Sequence, residues 1–150
     1  MRKAILLVTT LFLTATLQIA AQSESDREAI TQAALNYADG WYTGDPLKME
    51  SALHPDLAKR RAVTNDKGQS RLDELSALGL VQGTRAGYGK NTPEKERQKD
   101  VKILDVTGNA ATVKLEMRDW VDYMHIAKVN GKWLIVNVLW ELKPKKEGIR

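Results

Sequence analysis

Residues 122–140 read DYMHIAKVNGKWLIVNVLW. Two apolar-rich runs flank Asn130-Gly131. Asn-Gly in that setting is the strongest short signal of a β-hairpin, because both central residues of a type I′ turn take positive φ. With these two as the loop, Val129 pairs with Lys132, Ile126 with Ile135, Met124 with Asn137 and Asp122 with Leu139. That register puts Trp120, Asp122, Met124, Ile126, Trp133 and Asn137 on one side of the sheet. Tyr123, His125, Val136, Val138 and Trp140 take the other. Both sides are largely apolar, whereas a sheet with one wet face alternates apolar with polar. The pattern therefore predicts cover on both sides, by helices on one and by a second subunit on the other.

Upstream the period of two continues. VKILDV (101–106) and ATVKLEM (111–117) are joined through Gly108-Asn109, a second two-residue turn. Val113, Leu115 and Met117 place the apolar side of the second run on odd numbers. Carried on unbroken, that parity buries Tyr123 and His125. A β-bulge near Arg118-Asp119 reverses it and buries Asp122, Met124 and Ile126. A run this long has to bend to close over helices, and bulges sit at bends, so the bulge is the preferred reading.

The half before residue 100 reads as helical. Ser25 and Glu28 fit a capping box. Ile30, Ala33, Ala34, Tyr37, Ala38 and Trp41 form one apolar stripe at helical spacing, and Gly44 suits the stop. Asp45-Pro46 starts a short second helix, PLKMESAL, which ends ahead of Pro55. LAKRRAVT reads as a short extended segment and NDKGQ as a turn. SRLDELSALG reads as a third helix, with Ser70 as N-cap, Leu72, Leu75 and Leu78 buried, and Gly79 as stop. GTRAGYGKNTPEKERQKD (83–100) is nearly free of apolar residues and reads as a long surface loop, with a lid over a pocket as its functional alternative. Helices followed by an antiparallel meander make the fold class α+β.

The chain begins with Arg2-Lys3, an uncharged apolar run and small residues up to Ala21, the layout of a secretory signal peptide. Residues 1–21 are read as that peptide and 22–150 as one domain ending in a basic tail, 143–150. The apolar run is shorter than the roughly 20 residues of a membrane-spanning helix, so no stable membrane anchor is expected after cleavage. There is no cysteine, which excludes disulfides, thiolate metal sites and a lipidated cysteine. The expected location is secreted or periplasmic. Removing Arg2 and Lys3 leaves 21 basic and 19 acidic side chains, a net charge of +2. That is too small to point to nucleic acid.

ALHPDLAKRR, LDELSALG and VDYMHIAKVNGKWLIVNVLW together resemble the putative lumazine-binding branch of the nuclear transport factor 2-like superfamily, from about Glu28 to Leu142. The resemblance implies three N-terminal helices packed in a strongly curved antiparallel sheet, a cone with a pocket at its open end. It also implies homodimers through the outer sheet. The superfamily holds isomerases, dehydratases and many domains with no known reaction, so no activity follows from it.

Against that frame several residues are candidates. Asp122 in an apolar pocket can shuttle a proton; its structural alternative is pairing with a basic residue such as Arg61. His54, before Pro55-Asp56, can act as a base or tie down its loop. Tyr37, Trp41, Arg61, Trp120 and Asn137 are candidate ligand contacts, since an apolar pocket with a few convergent polar groups is the usual small-molecule site. Asn137, mid-strand among apolar neighbours, needs a specific partner for its amide. In AKRR, one of Lys59, Arg60 and Arg61 is expected to enter the pocket and meet Asp122 or an anionic ligand. With two histidines and no HxH or HExxH spacing, neither a metal nor a cofactor is expected. Three functions remain in order: a binder of a small apolar or aromatic molecule, an isomerase- or dehydratase-like enzyme using Asp122 or His54, and a homodimeric scaffold.

Overall fold

A computed structural model describes the backbone of residues 2–144 and the side chains of 23–144. The expected signal peptide is therefore described only as backbone, and the basic tail beyond Pro144 lies outside the described residues. Helix α1 (Arg2–Thr43) is followed by α2 (Pro46–Ala52), β1 (Leu53–Thr64), β2 (Ser70–Ser76) and α3 (Ala77–Arg85). A 3-10 turn at Glu94–Glu96 leads to β3 (Lys99–Thr107), β4 (Ala110–Met117), β5 (Trp120–Val129) and β6 (Lys132–Leu142). The six strands form one open, curved sheet in the order β2-β1-β6-β5-β4-β3. Every neighbouring pair is antiparallel except β1 with β6, which is parallel.

The helices lie on the concave face. Ile30, Ala34, Tyr37 and Ala38 of α1 are buried together with Val113, Leu115, Met124, Ile126, Ile135 and Val138 of the sheet. Full burial of a side chain such as Ile30 contributes about 1.5–3 kcal/mol. Asp45 caps α2, its Oδ1 accepting from the amides of Leu47 and Lys48 at 3.0 Å each. The α1–α2 crossing is close: a Cβ on Gly40 would lie 2.7 Å from the Met49 backbone nitrogen.

Several local expectations are corrected. The helix does not start at the Ser25–Glu28 box, because α1 runs through it from Arg2. No glycine or proline interrupts residues 2–39, so nothing in that stretch stops the helical path. SRLDELSALG is not one helix. Residues Ser70–Ser76 pair as a strand with β1, and the helix N-cap is Ser76, whose Oγ accepts from Gly79 N at 3.2 Å. Leu72 and Leu78 are 62% and 65% exposed rather than buried. The turn through Asn65 and Gly68 (φ 75°) feeds Ser70 straight back along β1, and that pairing overrides the helical spacing of the leucines.

The meander differs from expectation in one instructive way. Arg118-Asp119 is not a bulge inside one long strand. It is the two-residue connection between β4 and β5, with Glu116 opposite Val121 and Leu115 opposite Asp122. Folding back across two residues shifts buried parity from odd to even, so Asp122, Met124 and Ile126 are buried as expected. Tyr42 fastens this connection: its hydroxyl accepts from Arg118 N at 2.9 Å and donates to Gln98 O at 2.9 Å.

The bulge lies instead in β6. The pairing runs Ile126 with Ile135, then His125 with Asn137, leaving Val136 unopposed. Beyond it Met124 faces Val138 and Asp122 faces Trp140, not Asn137 and Leu139. Asn130 (φ 49°) and Gly131 (φ 78°) form the expected turn.

Candidate functional site

The residue that β1 sends to Asp122 is Lys59. Leu57, Lys59 and Arg61 alternate along one side of β1, and Leu57 is buried against the core. Lys59 thus enters the interior, where it is 4% exposed. Asp122 is completely buried. The Lys59 ammonium donates to Asp122 Oδ1 in a short ion pair and to the Tyr37 hydroxyl at 2.7 Å. The other carboxylate oxygen of Asp122 accepts from the Trp120 indole at 2.9 Å. Each oxygen of this buried acid therefore has a donor, the condition under which buried charge is tolerated.

Aromatic rings stand around the pair. Lys59 Nζ lies 4.8 Å from the Trp140 ring centroid, 5.3 Å from Tyr37 and 5.8 Å from Trp120. Trp120 packs edge-to-face on Trp41 at 5.8 Å and on Trp140 at 6.3 Å. The three indoles are each only partly buried, so they link the charged centre to the surface. Arg61 lies over Trp140, its guanidinium carbon 4.5 Å from the ring centroid. Trp41 is held from behind by the segment after α3: a Cβ on Gly89 would overlap its carbonyl oxygen and indole.

Burial lowers the pKa of Lys59, against the opposing pull of Asp122. Tyr37 is raised well above the ordinary tyrosine value, first by burial and then by the neighbouring carboxylate of Asp122. The neutral phenol and the Lys59–Asp122 pair are thus mutually consistent: Tyr37 accepts from the ammonium without ionising.

Asp122, Tyr37, Trp41, Trp120 and Arg61 are gathered here. Asn137 and His54 are not. The bulge at Val136 puts Asn137 opposite His125 on the convex face, where its amide donates to His125 Nδ1 and its oxygen accepts from Arg60, both at 3.3 Å. His54 Nδ1 accepts from Asp56 N at 3.2 Å, tying its own loop. Its neighbour Leu53 pairs with Ile135, five residues along β6 from Trp140. Of the three cations of AKRR expected to meet Asp122, Lys59 is the one that does, and Leu57 two residues earlier marks its side of the strand as the buried one. Trp140 also completes the centre, and the bulge hides it from a regular register count.

Among the described residues no group of three or more His, Asp or Glu side chains is arranged to hold a metal ion. Grooves of about 590 Å³ along α1 and β3 and about 660 Å³ beside the β4–β5 connection are separate from this centre and share none of its residues.

With the geometry in place, the sequence matches the model of the family described as putative lumazine-binding over residues 25–141. The chain belongs to that family. Its fold is shared by solved structures of the nuclear transport factor 2-like class. A protein of unknown function from Shewanella baltica OS155 is 19% identical with a TM-score of 0.59, covering 81% of this chain and 96% of its own. One from Methylobacillus flagellatus KT is 22% identical with a TM-score of 0.59, covering 80% and 94%. One from Silicibacter pomeroyi DSS-3 is 15% identical with a TM-score of 0.58, covering 81% and 98%. No curated protein matches the sequence. The putative lumazine-binding family thus accounts for the curved sheet and its helices, and the site has to be read from its own residues.

Proposed function

We propose that the chain is an exported small-molecule-binding domain whose ligand is an apolar or aromatic compound held by Trp41, Trp120 and Trp140. The observation that carries this reading is the convergence of three partly exposed indoles on a fully partnered ion pair at one end of the concave face. Large flat rings with one anchored polar centre suit a planar ligand. The family description is consistent with a small-molecule ligand.

Binding is favoured over acid–base catalysis by the state of the two candidate bases. Asp122 is held by Lys59 and Trp120, and His54 is engaged with Asp56, so neither presents a free base to a substrate. The scaffold reading is represented on the convex face, where Tyr123 and Leu139 are exposed side by side across β5 and β6. A homodimer through that face is proposed alongside binding, and Tyr123→Glu is expected to shift sedimentation toward the monomer.

The test is native mass spectrometry of protein purified from cells expressing the full sequence. A co-purified small molecule that is lost in Trp120→Ala supports the reading. A ligand retained in Trp120→Ala overturns the assignment to this site. The same spectra report the mature mass, and the export reading expects a chain beginning at Gln22.

A further inference from the structure

Resting on that aromatic site, we infer that Arg61 is its anion-recognising group and that the ligand is a planar aromatic carboxylate. Lys59, Arg61 and Arg71 are the cations on the inner side of β1 and β2. Lys59 is neutralised by Asp122. Arg71 is paired with Asp73 at 2.8 Å. Arg61 stands directly opposite Asp73 in the strand register, yet that carboxylate is turned to Arg71.

The Arg61 side chain has no hydrogen bond or ion pair with any described residue, and its Nε is buried without a partner. A buried donor left unpaired is costly, and native interiors rarely keep one without a use.

The guanidinium is also part of the aromatic site. Its carbon lies 4.5 Å from the Trp140 ring centroid, and its planar fork matches the two oxygens of a carboxylate. Trp140 meets Trp120 edge-to-face and both indoles are partly exposed, which offers aromatic surface for the body of such a ligand. The next cation inward, Lys59, already has its counter-charge. One unpaired cation calls for one anionic group, which distinguishes a monocarboxylate from a neutral aromatic compound and from a multiply charged phosphate ester.

Isothermal titration tests this with two probes of nearly one shape, 2-naphthoate and the uncharged 2-naphthamide, on protein expressed from the full sequence. The parent is expected to bind naphthoate about tenfold or more tightly than naphthamide, as a charge-assisted fork contact provides. In Arg61→Gln that ratio is expected to fall to about one. Arg61→Lys, which keeps the charge but not the fork, is expected to lose most of the preference and carries the test if the Gln variant does not fold.

Equal binding of the two probes by the parent overturns the role of Arg61 and leaves the aromatic site standing. A preference unchanged in the variants does the same. Binding of neither probe overturns the aromatic site and this inference with it.

Discussion

The two sides of the β5–β6 hairpin treat polar groups on opposite terms. On the concave side, Asp122 is completely buried, and Lys59 and Trp120 donate to its two oxygens. On the convex side, three residues along the same strand, His125 meets Asn137 at 3.3 Å, and Asn137 meets Arg60 at the same distance. The first arrangement is charged, dry and complete. The second is looser and partly wet. Where water is excluded, a polar group persists only with partners of matched charge and geometry. Where water reaches, the same backbone tolerates long contacts at little cost.

The largest predicted effect tests the dry side. Lys59→Met leaves Asp122 buried without its cation and is expected to cost about 3–5 kcal/mol in urea unfolding. Adding Asp122→Leu to it is expected to recover much of that loss, because an apolar pair in place of a buried ion pair is often close to neutral. A double variant as unstable as the single one would show that the pair does more than satisfy itself.

The second effect appears at alkaline pH. Folding raises the pKa of Tyr37, so above pH 10 the unfolded chain releases a proton that the folded chain keeps, and stability falls as pH rises. Lys59 acts in the opposite sense: its pKa is lowered by folding, so stability rises with pH up to about 10.5, its unfolded value. Each proton of difference is worth about 1.4 kcal/mol per pH unit. Tyr37→Phe is therefore expected to flatten the decline above pH 10 when unfolding is followed across pH. An unchanged slope would mean that Tyr37 is not the group responsible.

The smallest effect belongs to the wet side. Asn137→Ala and His125→Ala are each expected to change stability by no more than about 0.5 kcal/mol. A larger loss in thermal unfolding would show that the convex face is not as open as its exposure indicates.

The sequence made the architecture legible where signals were local and strong. Asn130-Gly131, Gly108-Asn109 and Asp45-Pro46 each mark a feature at the expected place, because turn and cap chemistry acts within a few residues. The buried side of β5 was also legible, although the physical cause was a turn at Arg118-Asp119 rather than a bulge. What stayed hidden depends on distant pairing. Leu72, Leu75 and Leu78 fit a helical stripe, and only docking against β1 makes Ser70–Ser76 a strand. The site was half legible for the same reason. Tyr37, Trp41, Arg61, Trp120 and Asp122 were read in one group, whereas Trp140 and Asn137 exchanged sides because no composition signal marks Val136 as the extra residue.

That extra residue gives the hairpin a phase. Upstream of Val136 and downstream of it, the alternation of β6 is out of step by one. Deleting this position would absorb the bulge and leave Asn137 opposite His125, Val138 opposite Met124 and Trp140 opposite Asp122. Keeping Val136 but pairing it regularly with His125 would instead turn Asn137 and Leu139 toward the helices. Exchanging Val136 for another β-branched residue would leave every neighbour where it is. Over evolutionary time the position is therefore free to change or to be lost, because what the indole cluster needs is that Asn137 to Trp140 keep their partners on β5.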